Sequence, residues 1–181
     1  HINILVGTVL IEDGQKYNSA LVYSPAGRLI ARCDKKALWG WDRDHFVSGN
    51  KSGLFEINGI RIGIRICYDI RFPELFRELY KEKVNLCVVP FSDTSDQPDL
   101  ERYDIIKGHL RTRAVENVMT ILSTNSISRC QTAPTAAFDP DGHLLAETKT
   151  DQTDMVVVDY EIPPVSFGMQ GRMENNKLFV V

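Results

Sequence analysis

The most informative segment of the chain reads Arg61-Ile-Gly-Ile-Arg-Ile-Cys67-Tyr-Asp-Ile-Arg-Phe-Pro73. Isoleucines at alternate positions up to Ile66 have the period of a β-strand, and the alternation stops at Cys67. Pro73 suits the first position of a helix. The segment therefore predicts a strand that leads towards a helix, with a cysteine at the junction, where α/β proteins place ligands.

Cys67 has two interpretations at this point. Free cysteines are among the most buried residue types, so a lone cysteine is most often a small apolar core residue. A nucleophilic cysteine instead needs exposure and a thiol pKa below the free value of ~8.5. The junction position alone does not choose between the two, and other motifs in the chain have to be considered.

Composition excludes several classes of protein. The chain has 181 residues and a net charge of −3 without a basic stripe, which predicts one domain over residues 1–181 and no nucleic-acid partner. No apolar run is long enough to span a membrane, and no secretory leader is recognisable. The four cysteines are far apart, which favours a reducing cytoplasm, and the four histidines lack metal-ligand spacing, so we expect no metal.

The residues before the central strand predict antiparallel hairpins. Turn signals at Glu12-Asp-Gly14 and Pro25-Ala-Gly27 separate three apolar strands, and Asn58-Gly59 joins another strand to the central one. Residues 34–50 interrupt this pattern with a long loop that is rich in aromatic and charged side chains. Long loops are uncommon unless they are functional, so this loop is either part of a site or a surface flap.

After the central strand, helices and strands alternate, which predicts a layered α/β fold. The expected elements are a helix from Pro73 to Lys83, a strand over 84–90, a helix from the Asp99 cap to Asn117, a strand over 119–124, a hairpin around 140–142 and a last strand over 155–160. The tail after residue 164 is polar with an apolar end and carries no predicted element.

The cysteine segment resembles the signature of a known family. Residues Ile66-Cys67-Tyr68-Asp69-Ile70-Arg71-Phe72-Pro73-Glu74-Leu75 are similar to the cysteine motif of the nitrilase, or carbon–nitrogen hydrolase, superfamily. Other segments resemble its motifs in the same order: Tyr17-Asn-Ser-Ala20 with Pro25-Ala-Gly27, Lys35-Lys-Ala-Leu38 with Phe46 and Gly49, Arg113-Ala-Val-Glu116-Asn117, and Asp139-Pro-Asp-Gly142. The ordered set is more specific than any one motif.

The resemblance implies a nitrilase-type αββα sandwich, a homodimer or larger homo-oligomer, and a Glu–Lys–Cys site that uses no cofactor. Carried over by motif, Cys67 is the nucleophile and Lys35 the catalytic lysine, while Lys36 is expected to be solvated. An ammonium beside a thiolate stabilises both the thiolate and an oxyanion. The backbone N–H of Tyr68 is a candidate second oxyanion donor.

Two parts of the family pattern depart from this sequence. The general-base glutamate lies on an early strand for which residues 1–181 offer no counterpart, so the chain is expected to be a partial domain, truncated at its N-terminus. The supporting carboxylate would be Asp44 by alignment through Phe46 and Gly49, with Asp42 as the alternative. Residues Phe91-Ser-Asp93, after the strand over 84–90, are expected to line the substrate pocket.

The expected function is hydrolysis of a non-peptide carbon–nitrogen bond in a small amide or nitrile, amidase-like, through a cysteine thioester. Three alternatives stay open. The same site could transfer its acyl group to an amine, the chain could be a non-catalytic fragment or assembly subunit, or His45 or His109 could pair with the cysteine as in papain-like enzymes.

Overall fold

The structure, a computed structural model, describes residues 2–179. Its strands are β1 (Ile4–Glu12), β2 (Gln15–Tyr23), β3 (Leu29–Asp34), β4 (Phe55–Ile57), β5 (Ile60–Ile64), β6 (Leu86–Pro90), β7 (Thr94–Ser95), β8 (Thr120–Thr124), β9 (Cys130–Gln131), β10 (Ala136–Phe138) and β11 (Leu144–Glu147). Its helices are α1 (Trp41–His45), α2 (Pro73–Lys81), α3 (Leu100–Asn117) and α4 (Phe167–Phe179), and a 3₁₀ helix covers Cys67–Arg71.

The strands form two main sheets and a small ribbon. β1, β2 and β3 make a three-stranded antiparallel sheet, and six strands make a mixed sheet in the order β11-β10-β8-β6-β5-β4. Within the mixed sheet β5, β6 and β8 run parallel, so their carboxyl ends lie at one edge. β7 and β9 pair separately with each other; in the sequence β7 follows β6 and β9 follows β8. The predicted combination of antiparallel hairpins with βα units is confirmed.

Local turn chemistry explains both tight hairpins. Asp13 and Gly14 between β1 and β2 have φ values of 50° and 74°, and Asn58 and Gly59 between β4 and β5 have φ values of 51° and 78°. Positive φ at both central residues is the requirement of a type I′ hairpin turn, and Asn, Asp and Gly tolerate it best. The Asn58-Gly59 prediction is therefore confirmed.

The two main helices begin as the sequence predicts. Pro73 occupies the first turn of α2, and the Asp99 carboxylate accepts the Arg102 N–H at 2.9 Å as the N-cap of α3. α3 ends in a left-handed residue, Val118, whose N–H returns to carbonyls of the last turn. Both helices pack on the mixed sheet.

Two apolar cores define the layers. Side chains of α2 and α3, such as Phe76 and Leu110, pack with Cys87 and Ile121 of the mixed sheet. On the other face of that sheet, Ile64 and four more side chains form the core with the three-stranded sheet: Ala20, Val22, Cys33 and Ile66. The order is therefore helices, mixed sheet, three-stranded sheet.

Three predictions of secondary structure were wrong. Residues 155–160 form no strand and pair with none of the described strands; the Tyr160 hydroxyl donates to Asn85 O at 3.1 Å. A short helix, α1, lies within the predicted loop 34–50. The tail forms α4, which tertiary contacts stabilise, including Asn176 Nδ2 donating to Glu116 O at 3.1 Å.

None of the helices within residues 2–179 has the length and apolar character needed to cross a membrane.

Candidate active site

Cys67 lies at a sharp turn where β5 gives way to the 3₁₀ helix. Its φ is 48°, an unusual value for a residue with a Cβ, and such strained residues concentrate at functional sites. The side chain is half-buried, and the thiol has a backbone hydrogen bond with Ser92, just after β6. The predicted exposure at the end of the central strand is therefore partial, with the sulfur held between two strand ends.

Lys35 follows β3 and is buried, with 5 % of its side chain exposed. Its ammonium forms an ion pair with Asp42 of α1. Its backbone is fixed on both sides, since its N–H donates to Asn18 O at 2.8 Å and its carbonyl accepts the Gly49 N–H at 3.0 Å. A buried ammonium needs a partner, and Asp42 supplies one.

Position 49 has no room for a side chain, so it requires glycine. A Cβ added to it would come within 1.9 Å of the Asp34 Cβ, far inside van der Waals contact. Asp34 is itself buried and accepts the Ser19 hydroxyl at 2.6 Å. The close approach at Gly49 therefore sets where the segment that carries Lys35 runs.

Asp69 joins the cysteine segment to the lysine segment. This buried carboxylate accepts the Ala37 N–H at 2.8 Å and the Ile66 N–H at 2.9 Å. Ala37 is two residues after Lys35, and Ile66 directly precedes Cys67. One side chain thus connects a segment of the three-stranded sheet with a segment of the mixed sheet. Burial raises the pKa of Asp69, and these two hydrogen bonds oppose the rise.

Cys67 and Lys35 line the same cavity, of about 840 Å³. Other predicted site residues line it as well: Asp42, Tyr68 and Phe91. Trp39 and Trp41 contribute aromatic walls, and Asp93 and Arg102 line the cavity as well. The structure therefore brings together every predicted site residue except Asp44.

Asp42, rather than Asp44, contacts the lysine. The sequence alignment favoured Asp44, but α1 turns that side chain outward, where it is exposed. Residues two apart on a helix point in directions about 200° different, so only one of the two carboxylates can face Lys35.

Lys36, expected to be solvated, is partly exposed and forms an ion pair with Glu78 at 2.6 Å.

The thiol of Cys67 is hard to ionise in this arrangement. Burial raises its pKa to about 11, the positive charge of Lys35 lowers it, and the carboxylate of Asp93 raises it further. The direction is opposite to the lowering that a cysteine nucleophile requires. At neutral pH the thiol is therefore protonated, and attack on a substrate needs a base that removes the proton.

Several residues near Cys67 had no clear signal in the sequence. Arg102 reaches the cavity from α3 and pairs with Asp93 at 2.7 Å, while Thr132 donates its hydroxyl to the same carboxylate oxygen at 2.7 Å. Asn125, after β8, donates to the Asp93 carbonyl at 2.7 Å. Only their position after the parallel strands β6 and β8, or at the start of a helix beside them, could have indicated them.

The described residues contain no group of three or more His, Cys, Asp or Glu side chains arranged to hold a metal ion.

Comparison with known proteins identifies the family. The model of the carbon-nitrogen hydrolase family matches residues 1–165. The chain belongs to the carbon-nitrogen hydrolase family. Cys67 and Lys35, the residues that the family motifs predict for the site, both line the cavity of about 840 Å³.

Two curated relatives of this carbon-nitrogen hydrolase are amidases by name. An (R)-stereoselective amidase from a Pseudomonas species is 26% identical over 161 residues, which cover 86% of this chain and 57% of the relative. A 2-oxoglutaramate amidase from Bacillus subtilis is 29% identical over 153 residues, which cover 81% of this chain and 57% of the relative. The chain therefore spans little more than half the length of these relatives.

A solved structure confirms the fold. The NitN amidase from Nesterenkonia sp. AN1 superposes with a TM-score of 0.76 at 23% identity, covering 98% of this chain and 69% of the amidase. The prediction of a nitrilase-type αββα fold is confirmed, and three of its layers are the helices, mixed sheet and three-stranded sheet described above.

Proposed function

We propose that this carbon-nitrogen hydrolase cleaves a small amide through a thioester on Cys67. The observation that carries the proposal is one cavity lined by a half-buried thiol at a strained turn and by a buried ammonium. Two relatives that match most of the chain are amidases by name, which supports an amide rather than a nitrile as the substrate.

Cys67 Sγ attacks the amide carbon and forms a C–S bond, while the carbonyl oxygen gains negative charge. The Lys35 ammonium and the backbone N–H of Tyr68 stabilise that charge. The C–N bond then breaks, the nitrogen leaves with a proton as ammonia or an amine, and a thioester remains. Water attacks the thioester, releasing the carboxylic acid and restoring the thiol.

Proton transfer sets a further requirement. The Cys67 pKa of about 11 means that a base must take the thiol proton during attack. The Lys35 ammonium forms an ion pair with Asp42, and an ammonium already carries the proton that a base would accept. In the proposed mechanism a separate carboxylate does this work, the role that the family resemblance assigns to a glutamate on an early strand. Asp42 holds Lys35 in place.

The test is a panel of small amides and nitriles, assayed for release of ammonia and of the acid with a protein that includes the early strand to which the family resemblance assigns the base. Cys67→Ala is expected to abolish turnover. Lys35→Met should lower kcat/KM roughly a hundredfold. This corresponds to a loss of about 3 kcal/mol of transition-state stabilisation, the cost typical of a lost oxyanion donor. Lys36→Met, the matched control, should change it by less than about twofold because exposed ion pairs contribute little.

Hydroxylamine in the same assay checks the intermediate. A thioester is expected to react with it and yield a hydroxamate, with Cys67 acylated in intact-protein mass spectra. Turnover that survives Cys67→Ala, or equal losses in the two lysine variants, would remove the basis of the proposal.

A further inference from the structure

A further cavity, of about 580 Å³, lies at the edge of the mixed sheet opposite to Cys67 and is called the distal cavity below. Val84 lines it just before β6 begins, and Val118 lines it just before β8 begins, whereas Cys67 follows the carboxyl end of β5. The distal cavity shares no lining residue with the cavity of Cys67 and Lys35. It is therefore a separate site, and the proposed hydrolysis gives it no role.

The floor of the distal cavity is apolar. Its volume lies within the range of ~300–1,000 Å³ that is usual for sites that bind small molecules. Methionine side chains are flexible and adapt to irregular apolar ligands, and two of them are present. The apolar side chains that carry the argument come from the ends of two helices, from residues 162–165 and from α4: Val84, Val118, Ile162, Val165, Met169 and Met173.

Hydrogen bonds hold the walls of the distal cavity in place. At the end of α3, Glu116 O accepts Asn176 Nδ2 of α4 at 3.1 Å and Arg77 Nη1 of α2 at 2.6 Å. The Tyr160 hydroxyl donates to Asn85 O at 3.1 Å and ties the remaining wall to the start of β6. The cavity is thus formed before a ligand binds, which lowers the conformational cost of binding.

The rim of the distal cavity is positively charged. Among residues 2–179, the charged side chains that line it are all lysines: Lys81, Lys83 and Lys177. All three are exposed, so their ammonium groups reach solvent at the opening while their stems cover apolar surface. Glu161 lies between two lining residues but does not itself line the cavity. Because the whole protein has a net charge of −3, this is a local excess of positive charge.

Helix ends alone do not account for this arrangement. Lys81 and Lys177 lie in the last turns of α2 and α4, where a cation compensates the helix dipole. That role gives no reason for the apolar side chains between the lysines, of which Ile162 is 52% and Val165 is 59% exposed. An apolar floor below a cationic rim is complementary to a molecule that joins an alkyl chain to an anion.

We propose that the distal cavity binds a single-chain amphiphile with an anionic head. Its alkyl chain lies on the apolar floor, where each fully buried methylene strengthens binding roughly fourfold, and its head lies among the lysines. An anionic head is favoured over a cationic or neutral one because the described lining carries positive charge and no carboxylate. A single chain is favoured because the volume is that of a small-molecule site.

Calorimetric titration with decanoate, below the concentration at which it forms micelles, tests the proposal. We expect one decanoate per chain in the unmodified protein and also in Cys67→Ala, because Cys67 does not line the distal cavity. Octanoate should bind about tenfold more weakly, since it has two fewer methylenes to bury. Decyltrimethylammonium has the same chain length and the opposite charge, so it should bind weaker than decanoate by about tenfold or more.

The rim is tested by Lys83→Gln combined with Lys177→Gln. This double variant should weaken decanoate binding about tenfold at constant ionic strength, because each exposed charge contributes modestly. The matched control is Lys16→Gln combined with Lys51→Gln, which removes the same charge from exposed lysines outside the distal cavity. Its affinity for decanoate should be unchanged.

The floor is tested by Val165→Asp, which places a carboxylate among the apolar lining residues. Val165 is 59% exposed, so the fold should tolerate the change, and circular dichroism checks this for every variant. Decanoate binding should be lost, because the new carboxylate repels the anion and is poorly solvated beside the chain.

Three results would overturn the proposal. The first is no binding of decanoate to the unmodified protein, which is also the result expected if a second copy of the chain covers the distal cavity. The second is equal binding of decanoate and decyltrimethylammonium. The third is decanoate binding that survives either the double lysine variant or Val165→Asp unchanged.

Discussion

Cys67 carries an apparent conflict between position and acidity. Its place at a strained turn beside a buried ammonium suits a nucleophile, yet burial raises its thiol pKa to about 11. Lys35 opposes that rise, and Asp93 adds to it. The conflict is resolved if the thiol loses its proton only when substrate and base are in place. Such an arrangement also protects the resting protein, since a thiol is less prone to oxidation than a thiolate.

The first prediction concerns the pH dependence of Cys67 alkylation by iodoacetamide. Only the thiolate reacts, so below pH 11 the rate should rise about tenfold per pH unit and then level off near the pKa. Lys35→Met removes a charge that lowers this pKa, so the pKa should rise and the rate at pH 9 should fall by about tenfold. Lys36→Met should leave the profile unchanged.

Peptide mapping identifies which cysteine reacts, and a Cys130→Ser background removes the other half-buried thiol. Cys33 and Cys87 are buried, and burial raises the pKa of each to about 12, so neither should react before Cys67. A plateau below pH 9, or earlier labelling of Cys87, would contradict the assigned environment of Cys67.

At the scale of elements, the segment between β3 and β4 is held by close packing rather than by regular structure. Gly49 approaches Asp34 so closely that a Cβ would lie 1.9 Å from the Asp34 Cβ, and the Gly49 N–H fixes the Lys35 carbonyl. By contrast, a Cβ at Gly108 in α3 meets no atom within 4 Å.

The second prediction uses this contrast. Gly49→Ala should lower the free energy of unfolding by about 2 kcal/mol or more, since the overlap must be relieved by moving the backbone around Lys35. Gly108→Ala should raise it by about 0.5–1 kcal/mol, because alanine is the better helix former. Urea unfolding measures both, and a neutral or stabilising Gly49→Ala would show that the segment is looser than described.

Elements encoded by neighbouring residues could be predicted from the sequence. The Asn58-Gly59 turn, the Pro73 start of α2 and the Asp99 cap of α3 depend on side chains within a few positions. The 155–160 segment has a strand pattern but no paired neighbour in the described chain, and α4 contains two glycines and is held by distant contacts. Both outcomes depend on tertiary structure, which overrides local propensity.

The same limit applies to the site. The cysteine and lysine motifs were found because each is a contiguous pattern, and both line the cavity. The choice between Asp42 and Asp44 required the helical phase of α1, which the loop-like sequence did not reveal.

At the scale of the whole molecule, the three-stranded sheet leaves apolar surface uncovered. β1 is hydrogen-bonded within residues 2–179 to β2 alone, and its Val9 and Ile11, which share a face, are 56% and 67% exposed. Exposed apolar edge strands pair with other chains unless charge or proline prevents it. This surface is where the predicted homodimer or larger oligomer would form.

The third prediction is that the protein self-associates with rising concentration, as measured by size-exclusion chromatography with light scattering. Replacing Val9 and Ile11 together by lysine should shift the population towards the monomer, because like charges then face each other across the edge. Ile105→Lys, at a 44% exposed position on α3, is the control and should have no effect. A monomer at every concentration, or equal dissociation by the control, would be inconsistent with an interface at β1.

The two hydrogen bonds of Asp69 couple the position of Cys67 to that of Lys35. Lys35 follows a strand of the three-stranded sheet and Cys67 follows a strand of the mixed sheet, so their separation depends on how the two sheets stack. The Asp69 carboxylate links the two sheets, because one of its oxygens accepts the Ile66 N–H and the other accepts the Ala37 N–H. The alkylation rate of Cys67 therefore depends on the relative position of the two sheets. We expect this rate to change before the hydrogen bonds within either sheet break.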